Sequence, residues 1–161
     1  MDINEFWEII ELGKDSEEPE DNLRINLEKL TPEEIVSFKT HFDYFFDRAY
    51  TWNLWGAAYI IGGGCSDDGF IDFRYGLISQ GRVVYSNAIE NPESLAELGE
   101  DLEIENELYG YVADEVYEEK TGKEISISAV PDNEDSMGEE WDFDDEEENI
   151  KRFPKLMALY W

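Results

Sequence analysis

The side chains with reactive potential gather at one turn. Residues 62–68 read Gly62-Gly63-Gly64-Cys65-Ser66-Asp67-Asp68, and Asp72 and Arg74 follow closely. Cys65 is the sole cysteine and stands just before a helix start, where the helix dipole lowers a thiol pKa. Asp67 and Asp68 push the other way. A thiolate nucleophile also needs a base, and the sole histidine is His41. A Cys65–His41 dyad therefore competes with a small buried thiol and a helix-surface histidine, and the second pair of roles is favoured. Asp67, Asp68 and Asp72 are the right type for a hard cation, with Asp68 and Asp72 on one helical face at i, i+4. Helix capping is the simpler role for acids in a first turn. Zinc and two-metal hydrolytic centres recruit His or Cys as well, and this chain nearly lacks both. No cofactor and no metal are expected. Arg74, one of few bases, is expected to form a salt bridge with Asp67, Asp68 or Asp72.

A glycine run before a capped helix also suggests an anion site. The dinucleotide fingerprint, however, needs a third glycine where Asp67 stands and a strand before it, whereas residues 52–61 read as helix. A phosphate-binding Walker loop needs a lysine, and none is near. Two aspartates repel phosphate, so nucleotide binding at this turn is disfavoured.

The elements that must hold the turn are helices. Asp2 and Glu5 have capping-box spacing before Phe6, Ile9 and Ile10, which predicts a helix over 3–13. Leu23, Leu27 and Leu30 mark a second, over 19–30. Thr31-Pro32-Glu33-Glu34 opens a third, to about 50, striped by Ile35, Phe38, Phe42, Phe45, Phe46 and Ala49. Trp52, Trp55, Ala58 and Tyr59 stripe a fourth that ends before Gly62; core packing is their default role, and a partner-binding patch the alternative. Ser66 caps a fifth, burying Phe70, Phe73, Leu77 and Ile78, with Gly81 as its end or kink and a short continuation through Ala88. Asn91-Pro92 opens a short helix to about 98. Residues 105–121 read as one long helix with Leu108, Val112, Val116 and Tyr117 inward, stopped by Gly122. Residues 125–130 alternate with period two and are the sole strand candidate. The apolar C-terminal stretch is expected to pack back on the core. The fold class is thus mainly α: a compact multi-helix single domain over 1–161 with at most one or two short strands.

Charge narrows the function classes. The 161 residues carry 41 acids and 12 bases, a net of −29. Residues 81–161 hold 24 of the acids against 6 bases, and residues 132–148 hold 11 acids and no base. Trp141 and Phe143 interrupt that run, so part of it is expected to dock. Nucleic-acid affinity rests on Lys and Arg neutralising phosphates, so direct nucleic-acid binding is not expected, and neither is an anionic membrane. At 42% hydrophobic and 14% aromatic residues, the chain can bury a core. One cysteine allows no intrachain disulfide. The first residues lack a signal-peptide pattern, and no apolar run has membrane-span length, so a cytoplasmic location is expected.

Several word-like stretches resemble a known bacterial family. They are Phe6-Trp7, Trp52-x-x-Trp55-Gly56-Ala57-Ala58-Tyr59, Gly63-Gly64-Cys65-Ser66-Asp67-Asp68-Gly69-Phe70, Phe73-Arg74 and Leu77-Ile78-x-x-Gly81. Tyr117-Glu118-Glu119-Lys120-Thr121-Gly122 and Arg152-Phe153-Pro154 continue the likeness. The family is the domain of unknown function 4240 (DUF4240). The resemblance implies a bacterial, cytoplasmic single domain and carries no assigned activity or catalytic residues.

Two functional readings follow. The leading one is a non-enzymatic binding or interaction module for a protein partner of basic character, one version being an inhibitor or immunity-type protein that covers a basic active site. The alternative is an enzyme, small-ligand or metal-binding protein centred on residues 62–68. The candidate ligand or partner site is Cys65, Ser66, Asp67, Asp68 and Arg74 with Trp52 and Trp55.

Overall fold

A computed structural model describes residues 1–101, 103–126 and 137–161. Among them the regular elements are all helical: α1 (Ile3–Glu11), α2 (Pro19–Glu28), α3 (Pro32–Arg48), α4 (Trp52–Gly62), α5 (Asp67–Ser79), α6 (Arg82–Glu90), α7 (Val112–Thr121), α8 (Glu146–Arg152) and α9 (Pro154–Tyr160), with 3₁₀ turns at Pro92–Leu98 and Leu108–Tyr111. None of these helices is long and apolar enough to cross a membrane.

Local chemistry sets most boundaries. Asp2 closes a capping box on α1, accepting from the Glu5 amide at 2.8 Å while Glu5 accepts from the Asp2 amide at 2.9 Å. Thr31 and Glu34 do the same for α3, both bonds at 3.2 Å. Pro19, Pro32, Pro92 and Pro154 each open their element, where a missing amide hydrogen costs nothing. The helices bury one connected core. Its largest fully enclosed side chains include Phe6, Phe38, Phe70, Leu54 and Leu77. α3 packs on α5 and α7, while α4 packs on α5 and α9. The C-terminal stretch returns as expected, with Leu156 and Met157 buried. Glu93 caps α9, accepting from the Lys155 and Leu156 amides at 2.5 and 3.3 Å.

Three expectations are corrected or fall outside the described residues. The long helix over 105–121 is shorter: α7 starts at Val112, preceded by a 3₁₀ turn, and Leu108 is 61% exposed rather than inward. The reason lies upstream, where residues 103–106 are held in irregular backbone across α5. The Asn106 amide donates to the Asp72 carbonyl at 3.0 Å, and Gly76 admits the Ile104 carbonyl so closely that a Cβ there would stand 1.5 Å from its oxygen. The Asn106 side chain then accepts from the Tyr109 amide at 3.1 Å and starts the 3₁₀ turn. Of the strand candidate 125–130, residues 127–130 lie outside the described residues, and Ile125 and Ser126 are in irregular backbone. Finally, α8 starts at Glu146 within the end of the acidic run, where no helix is expected from the sequence, and extends past it to Arg152. Asp145 caps it, accepting from the Glu148 amide at 3.1 Å, and three glutamates of its first turn complement the positive helix end.

Candidate functional site

The turn over residues 62–68 is a helix-to-helix corner. The Gly64 amide donates to the Tyr59 carbonyl at 2.8 Å and the Gly63 amide to the Ile60 carbonyl at 3.4 Å, a Schellman closure of α4. Gly63 takes the left-handed conformation this closure needs, at φ 66°. Ser66 caps α5 as expected, accepting from the Gly69 amide at 3.1 Å. Asp67 and Asp68 occupy its first turn.

Cys65 is half-buried here. Its carbonyl accepts from the Trp55 indole at 2.9 Å, which ties the corner back to α4. Burial pushes the thiol up to about 11, and the carboxylates of Glu105, Asp67 and Asp72 add to the shift. At neutral pH the group is a protonated thiol, a poor nucleophile. His41 lies among different neighbours: its Nε2 meets the Met1 carbonyl at 3.0 Å and its ring packs on Phe6. No hydrogen bond joins His41 to Cys65.

Arg74 corrects the salt-bridge expectation. It is 6% exposed and its guanidinium lies over the rings of Phe46, Tyr50 and Phe70, at 3.9, 4.8 and 4.9 Å from their centroids. It donates to the Phe46 carbonyl at 3.1 Å and the Phe70 carbonyl at 3.4 Å. No ion pair joins it to Asp67, Asp68 or Asp72. The physical reason is position on the helix. Arg74 lies on the face of α5 shared with Phe70, which turns into the core against α3; Asp68 and half-buried Asp72 lie on other faces, and Asp67, on the same side, stands about two turns away at the exposed helix start. Burial lowers the guanidinium to about 10, which leaves it charged at neutral pH. It binds α3 to α5 rather than forming part of an open site.

The acids do gather. Burial, then Glu107 and Asp68, raise the Asp72 carboxyl above its usual range. Even so, among the described residues no three His, Cys, Asp or Glu side chains are arranged to hold a metal ion. The concave feature beside the corner is an open cleft of about 430 Å³. Ala58, Ile61 and Gly62 of α4 line it with Phe73 of α5 and Glu103, Ile104 and Glu105. Apolar side chains meet two exposed carboxylates there. Glu105 thus reaches both the cleft and the surroundings of Cys65. Sequence reading missed Glu103 and Glu105. The available sign was Ile104, a lone apolar residue between two acids, which could bury itself only by holding both acids at the surface.

Trp52 and Trp55 stack on each other at 5.5 Å, and Trp55 stacks on Phe70 at 4.9 Å. Their outer face meets the chain's own acidic segment. Phe143 approaches Trp52, Trp55 and Tyr59 at 6.2, 6.3 and 5.5 Å, and Trp141 presses on Gly56. The Tyr59 hydroxyl bonds to Asp144. Fully buried Asn149 latches the segment, accepting from the Trp141 indole at 2.8 Å and donating to the Phe143 carbonyl at 2.8 Å. Arg152 covers Trp141 at 4.0 Å while bonding Glu148. So Trp141 and Phe143 dock, as their interruption of the acidic run predicts.

The chain belongs to the family described as protein of unknown function (DUF4240), whose model matches residues 1–119. The match contains the corner, Cys65 through Phe70, and the 103–106 segment; it ends before α8 and the Arg152-Phe153-Pro154 stretch. No curated protein and no solved structure matches the chain.

Proposed function

We propose that this member of the family is a non-enzymatic interaction module whose partner is a protein presenting basic side chains, in the manner of an inhibitor or immunity-type protein. The cleft beside the corner carries the reading. Half-buried Ile61, backed by buried Ala58 and Phe73, offers apolar surface to the stem of a lysine or arginine, and exposed Glu103 and Glu105 offer carboxylates to its head. Asp67, Asp68 and Asp72 extend the negative field along α5, and the net charge of −29 steers a basic partner toward the surface from a distance. A protonated Cys65 and a His41 engaged with the Met1 carbonyl weigh against nucleophilic catalysis at the same place. The reading includes a bacterial cytoplasmic setting, supported by the single cysteine.

Immobilised full chain tests it against lysate of the native host at low and moderate salt, beside the double variant Glu103→Gln/Glu105→Gln. The expected result is a basic protein retained at moderate salt and recovered about tenfold less by the variant. Recovery of no specific partner at either salt, or equal recovery by both proteins, removes the proposal.

A further inference from the structure

We propose that the groove between α1 and the head of α3 is a separate docking surface, and that it receives a basic amphipathic helix from another protein. The groove encloses about 420 Å³ and is lined by Met1, Glu5, Glu8, Ile9, Leu12, Leu30 and Glu34. α1 explains its character. Phe6, Trp7 and Ile10 point into the core, which turns Glu5, Glu8, Ile9 and Leu12 toward the groove. Leu12 remains 67% exposed, and Ile9 and Leu30 are half-buried. Leu30 arrives from the junction of α2 and α3, and Glu34 from the first turn of α3. Apolar side chains therefore form the floor, three carboxylates form the rim, and no Lys or Arg side chain lines the groove.

Charge selects the occupant. A second copy of a chain at −29 would set acid against acid around the rim. An anionic membrane meets the same repulsion. A helix with leucine-like side chains at i, i+3, i+4 and i+7 fills an apolar groove, and lysines flanking that stripe meet Glu5, Glu8 and Glu34. Apolar seating distinguishes this from the attraction that any basic peptide feels toward so acidic a protein. The surface is formed by other residues than the cleft at the α4–α5 corner, and either can fail without the other.

The probe is a labelled leucine–lysine peptide of about 18 residues with one apolar helical face, beside a scrambled peptide of the same composition without that face. Anisotropy titrations of the full chain at physiological and at high salt are expected to give saturable binding in the micromolar range for the amphipathic peptide, persisting at high salt, and much weaker, salt-sensitive binding for the scramble. Leu12→Ser keeps the charge and is expected to weaken the amphipathic peptide about fivefold or more while leaving the scramble unchanged. Amide shifts on the wild-type chain are expected at residues 5–12 and 30–34, which keeps the test independent of the variant's folding. The proposal is overturned by equal binding of the two peptides, by indifference to Leu12→Ser in a folded variant, by shifts centred elsewhere, or by self-association through this groove.

Discussion

α1 and α4 both carry apolar side chains beyond those that enter the core, and the protein treats them differently. On α4 the outer face of Trp52, Trp55 and Tyr59 is covered by Phe143, with Trp141 pressed on Gly56 beside it. On α1 the outer edge of Ile9 and Leu12 is covered by no described residue. The difference lies in what the chain can bring to each face. The acidic run supplies two aromatic rings that reach α4, and helix α8 holds them through Asn149 and Arg152. Its carboxylates stay exposed while the rings go in. Dense charge and apolar docking therefore coexist within a few residues, because alternate side chains face opposite ways. Among the described residues nothing comparable reaches α1, where acids rim an apolar floor.

Trp141→Ala should break this contrast most strongly. It removes the ring from Gly56, the indole bond to Asn149 and the stack under Arg152 together. The expected cost is about 2–4 kcal/mol by denaturant unfolding. A loss below about 1 kcal/mol would mean the segment contributes little to stability and that α4 is nearly as open as α1.

Gly56→Ala should have the next effect, because its Cβ would stand 2.3 Å from a ring carbon of Trp141. The expected cost is about 1–3 kcal/mol from forced displacement of the ring. With Trp141→Ala in the background the obstruction is gone, and the same change should become neutral or stabilising by up to about 1 kcal/mol, as alanine favours a helix over glycine. An unchanged cost in the double variant would show that the ring is not what Gly56 accommodates.

Leu12→Ser should do least: a change within about 0.5 kcal/mol, since the side chain is largely in water already. A loss of several kcal/mol would show that Leu12 belongs to the folded core and that the two faces are equally closed.

The helical parts of this contrast are legible in the residues. Asp2 with Glu5 and Thr31 with Glu34 announce helix starts through capping that depends on a few neighbours. Ser66 before Gly69 does so at the corner, and Phe70, Phe73 and Leu77 show which way α5 faces. The placement of Arg74 was not legible. Sequence puts it near three aspartates, and proximity along a chain suggests an ion pair. Its place beside Phe70 on α5 turns it inward, where the rings of Phe46, Tyr50 and Phe70 and the carbonyls of Phe46 and Phe70 meet it. The cleft was hidden for a related reason: Ala58, Phe73 and Glu105 come from separate parts of the chain.

What the sequence determined by itself is short-range or compositional: the caps, the proline-led starts, the apolar stripes, the scarcity of nucleophile–base pairs and the net charge of −29. Those properties depend on composition or on residues within one or two turns, where geometry is set by the helix. Tertiary structure alone decided which stripe is covered, where Arg74 points, why residues 103–106 leave the helix, and which acids stand over an apolar floor. Each of those depends on contacts between residues far apart in the chain, such as Gly76 with Ile104 and Gly56 with Trp141, and two residues at such separation meet only once the whole core has packed.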